Sequence, residues 1–137
     1  MVRKNWTWAP RKAQIIVPEI EKSRTAEACR VFITTVLAPR GVHVRDPRKK
    51  ERQCVGLAGS WHRNFFRFIA TFYDPRDNVI SAEYEEPFAR LEYRKAGGYI
   101  LAYMRHTGEW NEITYGQPLS LEECFEMITT LPHFDVT

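Results

Sequence analysis

Residues 86–130 constrain this chain most, because they read as a β-meander that runs straight into a capped helix. The stretch FARLEYRKAGGYILAYMRHTGEWNEITYG holds three short runs rich in aromatic and β-branched residues. Gly97-Gly98 and Thr107-Gly108 separate them, and such pairs mark turns between strands. PLSLEECFEMITT follows at once. Ser120 and Glu123 have capping-box spacing, and Leu119 with Cys124 fits a hydrophobic staple. Leu121, Cys124, Phe125 and Ile128 supply the apolar face of that helix, and Pro132 ends it.

The upstream sequence extends the same pattern. Residues 64–73 alternate with a period of two. Phe66, Phe68, Ala70 and Phe72 fall on one face, with Arg63, Phe65, Arg67, Ile69, Thr71 and Tyr73 on the other. Ala89, Leu91 and Tyr93 share a face. Residues 99–106 are apolar on both faces, as a central strand would be. Residues 53–59 read as a strand in which Gly56 and Gly59 mark a bulge or an end. Pro87 marks an edge or a bulge, and residues 42–44 a short strand. Before all of these, Pro18 suits a first helical turn. Ile20, Ala28, Cys29, Phe32, Val36 and Leu37 trace an apolar stripe. Pro39 should stop that helix by Ala38.

The expected architecture is α+β. An N-terminal arm (residues 1–17) precedes a single domain (residues 18–137). That domain is a helix, a five- to six-stranded antiparallel meander and a C-terminal helix, with both helices on one face.

A hydrophobic fraction of 44% excludes a wholly disordered chain. No apolar run approaches the ~20 residues of a membrane span. The N-terminus has charge without an apolar core, unlike a secretory signal. The expectation is a cytoplasmic protein with no membrane partner. Cys29, Cys54 and Cys124 are odd in number and widely spaced, unlike a disulfide framework or a zinc ribbon. Cys29 and Cys124 read as small buried thiols. The pattern calls for no metal and no cofactor.

The net charge of +3 hides an asymmetry. Residues 1–63 carry 14 Lys and Arg against 5 Asp and Glu, while residues 64–137 carry 6 against 12. Such polarity bears on partners rather than on fold. Arg48, Lys49, Lys50 and Arg52, with Arg45, make a cationic loop able to neutralise phosphates. Arg63, Phe65 and Arg67 interleave cations with a ring, the composition of a single-strand-binding sheet. Trp6 and Trp8 could stack on bases, or could anchor the arm to the body. Equally, the arginines could pair with Glu83, Glu85 or Glu92 on neighbouring strands.

Two other constellations carry potential chemistry. A turn would bring His106 near Glu109, and a His–carboxylate pair can act as acid and base. Tyr99, Tyr103, His106 and Trp110 could line a pocket.

The run EEPFARLEYRKAGGYILAYMRHTGEW, with the helix SLEECFEMI, resembles an uncharacterised family of small bacterial domains. Pro87, Ala89, Arg105 and Trp110 carry the resemblance, which spans residues 83–130. It implies a bacterial origin and a domain of unknown function, and it transfers no catalytic residue.

The leading expectation is a non-enzymatic binding domain that contacts nucleic acid, or an acidic protein surface, through its basic half. The alternatives are a small-ligand or small-enzyme domain centred on His106, Glu109 and Trp110, and an accessory subunit in a protein–protein or homo-oligomeric assembly.

Overall fold

In a computed structural model that describes residues 15–77, 81–94 and 98–136, two helices pack on one side of a five-stranded antiparallel sheet. Sheet order equals chain order: β1 (Gln53–His62), β2 (Phe65–Tyr73), β3 (Glu83–Tyr93), β4 (Tyr99–Met104) and β5 (Trp110–Glu112). Each strand pairs with its sequence neighbour, which is what short turns between β-rich runs produce.

The period of two in β2 sorts its side chains as expected. Phe66, Phe68, Ala70 and Phe72 are buried, while the alternate residues are half-buried. Registers carry the same parity across the sheet. Phe66 faces Leu91, which faces Leu101, and Phe68 faces Ala89, which faces Tyr103. Onto this face fold α1 (Glu19–Phe32) and α3 (Leu121–Thr130). Phe32 stacks on Phe125 at 4.2 Å between ring centres and meets Phe68 edge-on at 6.4 Å. Trp61 Nε1 donates to Lys22 O at 3.0 Å, tying β1 to α1.

The capping box of α3 is present. Ser120 Oγ accepts from Glu123 N at 3.1 Å, and Glu123 Oε1 accepts from Ser120 N at 2.9 Å. Glu123 is held below the usual carboxylate range by these bonds from Ser120. Of the expected alternatives, a bulge occurs beside Gly56 and another beside Pro87, while Gly59 is in regular register. One lies between Cys54 and Gly56, and the other sets Phe68 opposite Ala89 but Ile69 opposite Pro87. Pro87 is tolerated inside the sheet because β4 pairs with β3 only from Ala89 onward. Gly59 is required by closeness: a Cβ there would lie 2.5 Å from the Phe66 ring.

Three expectations are corrected. The first helix does not stop before Pro39. A π-helical turn (Ile33–Leu37) is closed by Ala38 N–H bonding Ile33 O, and α2 (Ala38–Gly41) continues the path. Pro39 thereby falls in the first turn of α2, where its missing N–H costs little. Residues 42–44 are extended but form no strand; one bond, His43 N to Cys54 O at 2.9 Å, joins them to β1. Ile20 is 68% exposed, and Thr25 takes its place on the buried face of α1.

All three cysteines are free and buried. Burial pushes the thiols of Cys29 and Cys124 up to about 12, and raises that of Cys54. No helix among the described residues is long and apolar enough to cross a membrane.

Candidate functional site

The sheet face turned away from α1 and α3 carries the candidate site. Its parity set includes Phe65, Arg67, Ile69 and Tyr73 from β2, Arg90 and Glu92 from β3, Ile100 and Ala102 from β4, and Trp110 and Glu112 from β5. Arg67 lies directly opposite Arg90. The guanidinium of Arg90 stands 4.5 Å over the ring of Phe65 and 4.8 Å over that of Trp110. A cation over an aromatic face is attracted by the ring quadrupole. Ile100 and Ala102 are buried on this same face, which carries no helix among the described residues.

The electrostatics are unusual for a structural arrangement. Neither Arg67 nor Arg90 takes part in a salt bridge among the described residues, and Arg67 Nε is buried without a hydrogen-bond partner. Burial lowers the Arg90 pKa, against the opposing pull of Glu92 and Glu112. Glu92 is itself engaged by Arg94 at 3.5 Å. Like charges directly opposite on a sheet are destabilising. In the neighbouring β1–β2 turn, Arg63 adopts a left-handed backbone with φ of 56°. That region favours glycine or asparagine.

The cationic loop has a different environment. Residues 45–52 precede the start of β1, whereas Arg63 follows its end. Ten residues of strand put them roughly 30 Å apart. Arg45 is paired with Glu83, Arg48 with Asp46 at 3.4 Å, and Arg52 with Glu86 at 3.6 Å. Arg52 also lies 4.1 Å over the Phe72 ring. Lys49 and Lys50 remain exposed. The cationic loop and Arg63 are therefore not one patch. Trp6 and Trp8 lie outside the described residues.

The pocket residues are dispersed. Tyr99 is buried in the core, where its hydroxyl bonds Thr25 and Glu21 and burial pushes its pKa up to about 12. His106 and Glu109 sit in an exposed turn held by Arg105 N to Glu109 O at 2.8 Å, and no hydrogen bond links their side chains. Tyr103 and Trp110 do line a shared groove of about 450 Å³ at the β5 edge, with Tyr115 and His133 rather than His106. His133 lies 4.4 Å from the Tyr103 ring. No group of three or more His, Cys, Asp or Glu among the described residues could hold a metal ion.

Two site residues were missed by sequence reasoning. Arg90 alternates with Ala89 and Leu91, so its parity alone placed it on the open face. Tyr115 is 91% exposed with φ of 52°, and its strained position at a rim gave no signal in the sequence.

The family model described as Domain of unknown function (DUF3024) matches residues 17–134. The chain belongs to that family. The match takes in every helix and strand described above, including the basic segment at 45–52 and the residues Pro87, Ala89, Arg105 and Trp110. It is wider than the similarity visible over residues 83–130. No curated protein and no solved structure gives a significant match.

Proposed function

We propose that this domain is a non-enzymatic binding module that holds single-stranded nucleic acid on the helix-free face of its sheet. The observation that carries this reading is the opposition of Arg67 and Arg90, with no salt-bridge partner among the described residues and with Arg90 layered between Phe65 and Trp110. Folding gains little from two guanidiniums placed side by side. A phosphate between them would supply the missing acceptor for Arg67 and offset the repulsion. Arg63 lies at the adjoining turn and extends the cationic track. Trp110 and the exposed Tyr115 offer rings on which bases stack, a contact every base can make. In this reading Arg63 and Arg67 hold phosphates, while Phe65 supports Arg90 from beneath its guanidinium. Arg48, Lys49, Lys50 and Arg52 become a separate surface, with Arg48 and Arg52 paired and the two lysines exposed.

Fluorescence anisotropy with labelled single-stranded DNA, RNA and duplex, at two salt concentrations, tests the reading. Micromolar binding that weakens steeply with salt, and that favours single strands, supports it. Absence of binding at low salt would refute it.

A second reading rests on the groove beside β5. Its size and its aromatic lining of Tyr103, Trp110, Tyr115 and His133 suit a planar small ligand. In that case the binder is a small molecule, and competition between it and an oligonucleotide for Trp110 fluorescence separates the two.

A further inference from the structure

The two edges of the sheet are managed differently. β5 is three residues long, which leaves little backbone to pair. β1 is ten residues long and contains no proline and no Lys, Arg, Asp or Glu. Its inner side pairs with β2 throughout. On its outer side Cys54 O accepts from His43 N, and no further described backbone group bonds to it. Among the described residues, alternate amides and carbonyls from Leu57 to His62 are therefore open to another strand. Monomeric proteins blunt such edges with charges, prolines, bulges or short strands. Here the single bulge lies before Gly56, and the seven residues after it are regular.

We infer that β1 pairs antiparallel with β1 of a second copy of this chain, about a two-fold axis through Ala58. The stretch is uncharged, so self-apposition sets no like charges opposite one another. Shape agrees as well. In this register Leu57 of each copy stands opposite Gly59 of the other, both on the helix-bearing face, and Ser60 stands opposite Gly56 on the open face. Gly59 borders a cleft of about 240 Å³ between α1 and β1, lined also by Ala26, Ile33 and Phe66. The incoming Leu57 fills that cleft. The other symmetric partner of the axis, Ala58, is small and exposed, and nothing there obstructs close approach.

The pairing makes one ten-stranded sheet whose helix-free faces are continuous. The two Arg67 side chains then lie roughly 20 Å apart, from four residues of strand rise and three inter-strand spacings. The pairing stands whether or not that face binds nucleic acid.

Sedimentation equilibrium of the full chain tests it. The expected result is a concentration-dependent monomer–dimer equilibrium. Ala58→Lys sets two ammonium groups opposite each other at the axis only in the dimer, and should weaken association at least about tenfold. Ala58→Cys provides a check that does not depend on that substitution. Directly opposed residues lie within the Cα separation a disulfide needs, so mild oxidation should give a covalent dimer while the three native thiols stay buried. A chain monomeric at every concentration overturns the inference. So does a dimer that Ala58→Lys leaves intact and Ala58→Cys does not cross-link, because its interface then lies elsewhere.

Discussion

The hydroxyl of Tyr99, at the start of β4, lies 2.5 Å from Oγ1 of Thr25 on α1. Both residues are almost fully buried, and the phenol also reaches Glu21 Oε2 at 3.3 Å. With the phenol proton directed at Glu21, Thr25 donates the shorter bond. Tyr99→Phe keeps the ring but leaves a buried threonine hydroxyl without a partner. The expected cost is about 1–3 kcal/mol, read from the urea midpoint at unchanged m-value. A double mutant with Thr25→Val should recover part of that loss, since both polar groups are then gone.

Arg67 is expected to oppose folding while serving binding. Replacing it by Met removes a like charge beside Arg90 and a buried Nε that has no partner. Stability should rise by roughly 0.5–1 kcal/mol. Affinity for single-stranded nucleic acid should fall, and the salt slope should decrease by about one. Thermal melts and anisotropy titrations on the same sample give both numbers. A variant that loses stability and keeps affinity would place Arg67 in a purely structural role.

The two lysines of the cationic loop provide the contrast. Lys49→Glu with Lys50→Glu alters charge at the far end of β1, about three Debye lengths from Arg67 at physiological salt. Binding should change by less than about threefold there, against tenfold or more for Arg90→Ala. Equal losses would return the interface to the loop.

Ser120→Ala removes one half of the α3 cap and should cost about 1 kcal/mol. The pH dependence follows from Glu123 and Asp74. Both carboxylates are lowered, the first chiefly by its bonds from Ser120 and the second chiefly by the side-chain bond from Arg76. A depressed folded pKa means stability that is complete above the unfolded values of 4.5 and 3.8 and is lost as pH falls through the folded ones. Acid unfolding should therefore begin below about pH 4.5, and Glu123→Gln should flatten the upper part of that limb.

The alkaline limb has the opposite sign. Cys29 and Cys124 are pushed from 9.0 to about 12, so the stability they contribute is complete below pH 9 and is lost as pH rises toward 12. A thiol reagent at pH 8 should find none of the three cysteines in the native state and all three in denaturant.

Much of this architecture was readable where local chemistry and burial agree. The alternation of Phe66, Phe68, Ala70 and Phe72 named the core face of β2. The Ser120–Glu123 spacing names the start of α3, and Pro87 and Gly56 each narrow the reading to a bulge or a strand limit that the registers then decide. Legibility failed where the outcome depends on partners distant in sequence. Pro39 was read as a stop because a π-helical turn that accommodates it has no distinctive composition. Residues 45–52 look like the dominant charge because they are consecutive. Acidic side chains from β3, more than 30 positions downstream, take up two of their arginines. Arg67, Arg90 and Trp110 look unrelated in the sequence, and only the β2–β3 and β4–β5 registers bring them together.

Sheet order equal to chain order has a consequence for how the molecule is made. Each hairpin can form as soon as its two strands have left the ribosome, with loop closures that are short and fast. The apolar side of those hairpins is roofed only when Phe125 arrives to stack on Phe32. Until then a nascent chain carries a finished sheet whose apolar face is covered by α1 alone, and α3, which follows all five strands in the chain, completes the roof.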